Sequence, residues 1–192
     1  MGQYYIPLVG NAFGTNRKAF DRSVDGRYEV SKLLENSWYL NPFVNAISAL
    51  FYSEASRLVW IGDYATEADD FYFKGSSAFC LPCYEEAWGE GVALIKTSAS
   101  DFSLDGKFLL NYDTRQFVDL DDYKRLSVDK QGWCIHPLPL LTAVGNDRGS
   151  GDFHEGNVGY ENVGTWAWHL LSIEDNRPKN FRKLKLAFKE II

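Results

Sequence analysis

The chain has 192 residues, with 20 basic and 26 acidic side chains and a formal net charge of −6. At 45% hydrophobic and 24% charged it has the composition of a globular domain, which excludes a disordered or fibrous chain. No apolar run approaches the roughly 20 residues of a membrane-spanning helix, and MGQYYIPLVG lacks the basic region and cleavage site of a secretory signal.

In chain order, residues 3–9 read as an opening strand and 11–27 as a polar, glycine-containing loop. A short helix is expected over 29–36, with Val30, Leu33 and Leu34 on one face. The strongest helix signal covers 42–53. Asn41 is a good N-cap, Pro42 suits the first turn, and Phe43, Ile47, Leu50 and Phe51 repeat at helical spacing. Residues 57–62 (RLVWIG) read as a buried strand, and 107–113 with 116–120 as a hairpin joined at Thr114-Arg115. Further strands are expected at 133–135, 140–144 and 165–173. In the last, His169 reads as a surface or hydrogen-bonded sheet residue. At the C-terminus, Leu184, Leu186 and Phe188 alternate as a strand with Lys183, Lys185 and Lys189 on the solvent face; a helix through Phe181, Leu184, Phe188 and Ile191 is the rival. The sum is an α+β fold over residues 1–192, a single domain of mainly antiparallel sheet with one or two packed helices.

Charge is unevenly spread. Residues 177–192 carry six basic side chains and one acid, a net +5, which leaves −11 on residues 1–176. An acidic body is repelled by phosphate backbones, so nucleic acid is a disfavoured partner. The 30 aromatic residues, 6 of them Trp, suit the core of a sheet, although aromatics are also enriched at interfaces.

Three groups carry candidate chemistry. Cys80-x-x-Cys83 with Cys134-x-His136 has the composition of a closed Cys3His zinc set; the rival reading is three small buried hydrophobes and a histidine bonded to a carbonyl. A redox role for Cys80-Leu81-Pro82-Cys83 needs a long helix after the pair, and Gly89 leaves little room for one. Beyond zinc, no cofactor is expected, and the odd cysteine count without a secretory signal suits a reducing cytoplasm.

The second group is the loop 145–159, with five glycines around Asp147, Arg148, Asp152, Phe153, His154 and Glu155. Glycines permit close backbone approach to a ligand, and a carboxylate beside an imidazole suits general acid–base work. The third is Asp63-Tyr64, directly after the buried RLVWI strand. Asp152, His154 and Asp63 are therefore the candidate catalytic residues. Asp63, Tyr64, Asp147, Arg148, Asp152, Phe153 and His154 are the candidate ligand or partner contacts. No activated-serine, zinc-protease or phosphate-loop motif accompanies them.

MGQYY at the N-terminus, VWIGDYA at 59–65, NYDTRQFVDL at 111–120 and GWCIHPLPLLTAVGNDRGSGDF at 132–153 resemble a protein family of tailed phages and prophages of gut bacteria, crAss-like phages included. The resemblance spans residues 1 to about 175 and brings no catalytic residue with it. It implies an accessory factor in the cytoplasm of a bacterial host. The expectation is a small, soluble, non-enzymatic binding protein, a phage accessory or counter-defence factor engaging a host protein or a nucleotide-like small molecule. The rivals are a small hydrolase or transferase with an Asp/His site in the glycine-rich loop, and a structural or virion-associated domain.

Overall fold

The sheet grows outward from Ser56–Gly62 (β3), whose seven residues are all buried. This is the RLVWIG strand extended by one residue. The computed structural model describes residues 4–21, 32–65, 93–96, 102–145 and 152–189. On one side β3 pairs antiparallel with Tyr5–Gly10 (β1), in register from Tyr5↔Gly62 to Gly10↔Arg57. Lys18–Asp21 (β2) and Ala93–Lys96 (β4) continue the sheet beyond β1. Residues 11–27 thus hold a strand where a loop was expected.

Two elements share the other edge of β3. Leu170–Glu174 (β8) pairs antiparallel with Ser56 and Arg57, while Ala143–Val144 (β7) pairs parallel with Trp60 and Ile61. Between them the Trp168 N–H donates to the Leu58 carbonyl at 2.6 Å. The sheet therefore forks at Leu58. Beyond β8 come Phe108–Asn111 (β5) and Gln116–Asp119 (β6), which form the expected hairpin, from Phe108↔Asp119 to Asn111↔Gln116. Its loop is longer than expected, Tyr112 to Arg115: Asn111 Oδ1 accepts the N–H groups of Asp113 and Thr114, and Arg115 takes φ 52°. Arg182–Lys183 (β9) closes the order β4-β2-β1-β3-β8-β5-β6-β9, with β7 attached to β3. Among the described residues five of the eight pairings are antiparallel, as expected for this α+β fold.

Of the helices, Leu33–Asn36 (α1) is one turn, and residues 29–31 of the expected helix lie outside the described residues. Pro42–Ser53 (α2) starts as its sequence dictates, with Asn41 Oδ1 accepting from the Phe43 and Val44 N–H groups. It buries Phe43, Val44, Ile47 and Phe51, while Leu50 lies at the rim. The acidic run after β6 is a helix, Leu120–Ser127 (α3). Asp119 caps it by accepting the Asp122 N–H, acids fill its first turn, and Lys124 and Arg125 its last, in accord with the helix dipole.

Pro137–Thr142 (α4) replaces most of the strand expected at 140–144, because both prolines fall in a first turn that needs no N–H from them. The strand expected at 165–173 begins only at Leu170; Trp168 takes φ 58°, which ends the extended alternation. Ile135 makes only a single bridge to Trp38 in place of the strand at 133–135. The C-terminal segment is extended rather than helical, with Leu186 and Phe188 buried and Lys185 and Lys189 exposed, although only Arg182–Lys183 joins the ladder.

Side chains alternate across β1 and β3. Tyr5, Val9, Leu58 and Trp60 join the main core with α2, whereas Ile6, Leu8, Val59 and Ile61 meet Ala167 and Trp168 on the opposite face.

Candidate functional site

The sequence-designated residues that the structure describes fall on the end of β3, the far end of the glycine-rich loop and the cap of α4. Asp63 follows β3 and ties the chain start: its Oδ1 accepts the Tyr4 N–H at 3.0 Å, and its own N–H donates to the Tyr4 carbonyl. Tyr64 is half-buried beside it. The pairing of Ile61 with Val144 brings Asp63 and Gly145, the first residue of the glycine-rich loop, to the same end of the sheet. Asp147 and Arg148 lie outside the described residues. At the loop's far end, Asp152 and Phe153 are fully buried, and Phe153 packs edge-on against Phe188 at 5.0 Å. Phe153 is thus a core anchor, a correction to its expected role as a contact residue. His154 is exposed on the next turn, where its N–H donates to Asn157 Oδ1.

His136 is 1% exposed and caps α4. Its Nδ1 accepts the Leu138 N–H at 3.0 Å; its Nε2 lies 3.2 Å from Ser48 Oγ, which gives its own proton to the Val44 carbonyl. This network assigns the neutral ring with the proton on Nε2, and burial pushes its pKa down to about 3. Cys134 points its thiol at the Ile135 carbonyl, and burial pushes that thiol up to about 12. A metal needs a thiolate and a free imidazole nitrogen. In this structure Cys134 and His136 are held by local hydrogen bonds, Cys134 to the Ile135 carbonyl and His136 to Leu138 and Ser48. Cys80 and Cys83, and with them the redox reading, lie outside the described residues. Among the described residues no three ligating side chains converge.

Sequence reasoning missed the polar cluster at the sheet fork. Arg57, only 6% exposed, donates through Nη1 to Asp113 Oδ2 at 2.9 Å and to the Trp168 carbonyl at 2.8 Å, and through Nε to the Ala12 carbonyl. Beside it Asn111 Nδ2 donates to His169 Nδ1 at 2.8 Å, and burial lowers the His169 pKa. His169 is hydrogen-bonded, as expected, but it precedes β8 rather than lying in the sheet. A buried cation partnered on every side fixes the fork, where β1, β3, the β5–β6 turn and β8 meet.

Exposed apolar chemistry lies elsewhere, along α3 and the C-terminal segment. Trp133 is 58% exposed yet held firmly. Asp129 Oδ1 accepts the Gln131 and Trp133 N–H groups, Gly132 takes φ 88°, and the ring meets Trp38 edge-on at 5.6 Å. It stands at a groove of about 400 Å³ floored by Leu34, Cys134, Ile135 and Phe188. A second groove of about 310 Å³ runs between α3 and residues 183–186, over Val118, Tyr123, Leu184 and Leu186. The Phe188 N–H donates to Ser127 Oγ between the two. Leu126 and Val128, both exposed, lie on or directly after α3 beside these walls, and exposed Val158 bridges to Lys189. The sequence signal for this face is the aspartate turn Asp129-Lys130-Gln131-Gly132, which fixes an aromatic residue directly after it.

No family model, curated protein or solved structure matches the chain.

Proposed function

We propose that this is a non-catalytic binding protein that engages a host protein through the Trp133 face. The observation that carries the reading is the exposed, pre-organised Trp133 at the mouth of an apolar groove. A monomer leaves a large aromatic ring in water at a cost, and rigid Trp residues beside pockets are where binding energy concentrates. Two further grounds favour a protein over a small nucleotide-like molecule. Leu126, Val128 and Val158 are further exposed apolar side chains, Leu126 lining the second groove, and the basic C-terminal region offers a charged margin. The phage-family resemblance adds the setting of an accessory or counter-defence factor in the cytoplasm of a bacterial host.

Site-specific photo-crosslinking tests this reading. A benzophenone side chain at Gln131, on the groove, is expected to capture a discrete bacterial protein from lysate; the same group at Phe13, exposed on the β1–β2 turn, is not. Equal capture from both positions, or capture from Phe13 alone, overturns the proposal.

A further inference from the structure

We propose that the partner presents an extended acidic segment carrying two apolar anchors, one seated in each groove; this rests on the reading that the Trp133 face is the contact surface. The two grooves are consecutive stretches of one seam. Asp122, Tyr123 and Leu126 of α3 line the first and Ser127 opens the second, while the facing wall passes from Lys183–Leu186 to Phe188 and Lys189.

The C-terminal segment that forms this wall is pinned along its length. Lys183 bonds the carboxylates of Asp119 and Asp122, the Leu184 N–H donates to the Phe117 carbonyl, the Phe188 N–H to Ser127 Oγ, and Lys189 exchanges backbone hydrogen bonds with Val158. The seam is therefore pre-formed, which spares a partner the ordering cost of building it. From residue 183 to 189 an extended wall spans about 20 Å, the reach of about six or seven extended residues.

Charge fixes the chemistry of the segment. Lys183 is paired with Asp119 and Asp122, and Asp122 also with Arg125, whereas Lys185 lines the first groove and Lys189 the second, both are exposed, and neither has a carboxylate partner among the described residues. Asp129 on the opposite rim accepts two backbone N–H groups of its own turn through Oδ1. Two uncommitted ammonium groups, one per apolar groove, match acidic residues flanking each anchor. Hydrophobic burial in the grooves supplies affinity, and the lysines set register and sign.

Fluorescence anisotropy with fluorescein-labelled peptides decides the matter. The probes are Glu/Asp-rich octamers with two leucines spaced two to five residues apart, their single-leucine counterparts, and Lys-rich counterparts. One two-leucine acidic spacing is expected to bind at least about tenfold tighter than its single-leucine and Lys-rich counterparts. Combined Lys185→Glu and Lys189→Glu is expected to weaken it about tenfold or more, as is Trp133→Ala. Raising salt from about 50 to about 500 mM is expected to weaken it several-fold. Equal binding of Lys-rich peptides, no gain from the second leucine, no peptide binding at all, or self-association of the chain through the seam in light scattering overturns the inference. Crosslinking from Gln131 to a bacterial protein despite failure of the peptides leaves the Trp133 contact surface standing and removes only its acidic, two-anchor occupant.

Discussion

The sheet fork and the C-terminal seam solve opposite problems with the residues sequence reading prizes most. At the fork, a cation, a carboxylate, an imidazole and an amide are drawn inward and partnered to one another or to backbone carbonyls. At the seam, the conspicuous groups are apolar or cationic, and Trp133, Leu126 and Lys189 face water. The contrast teaches that titratable residues in proximity do not by themselves make a site. Arg57, Asp113 and His169 hold strands together, and the surface with binding potential sets its charged groups around apolar grooves.

Breaking the fork should have the largest effect. Arg57→Met leaves Asp113 without its cation and the Trp168 and Ala12 carbonyls without their donor, and is expected to cost about 4 kcal/mol in urea unfolding. Adding Asp113→Asn should restore part of that loss; if Arg57→Met alone costs less than about 1 kcal/mol, the fork is not the structural tie described.

Next comes the anchor that joins the glycine-rich loop to the seam. Gly159 has φ 86°, and a Cβ there would lie 1.9 Å from the Ala187 carbonyl oxygen. Gly159→Ala should therefore cost about 2–3 kcal/mol and push the C-terminal segment off its bed. Hydrogen exchange is expected to accelerate at the Phe188 and Lys189 amides while the β1–β3 amides stay protected.

A smaller effect is graded by pH. His136 in the folded protein has a pKa near 3, well below its ordinary 6.5. Between those values the unfolded chain takes up a proton that the folded chain refuses, so the stabilisation is complete above pH 6.5 and falls as pH drops. The expected slope from this residue is about 1.4 kcal/mol per pH unit. His136→Asn, which keeps an acceptor for the Leu138 N–H, should flatten the profile between about pH 6.5 and 4.5. An unchanged slope would mean that the ring is not buried neutral.

Much of the framework was legible because it rests on local pattern. Asn41-Pro42 and the apolar spacing marked α2, RLVWIG marked β3, and the alternation around Thr114-Arg115 marked the hairpin. What escaped depends on contacts between distant segments. Alternation in Trp166-Ala167-Trp168-His169 mimics a strand until Trp168 must turn left-handed to reach the Leu58 carbonyl. Asp119 caps α3 although 116–120 reads as a hairpin strand, and nothing in the reading of 57–62 as a buried strand marks Arg57 as a tie between segments.

The candidate site was legible only in fragments. Trp133 is exposed because the C-terminal segment, some fifty residues later, returns to wall its groove without covering it. Phe153 earned notice for its glycine-rich surroundings, but its ring faces Phe188 in the core.

The smallest structural effect accompanies the largest functional one. Trp133→Ala removes a mostly exposed ring and should change stability by less than about 1 kcal/mol. The most direct measurement is therefore quantitative capture from bacterial lysate by wild-type, Trp133→Ala and Phe13→Ala proteins, compared at equal folded concentration. The expected result is a discrete captured protein that Trp133→Ala loses at least about tenfold and Phe13→Ala retains, consistent with a Trp hot spot of about 1.4 kcal/mol or more. Undiminished capture by Trp133→Ala would contradict the claim that the seam is the protein's contact surface.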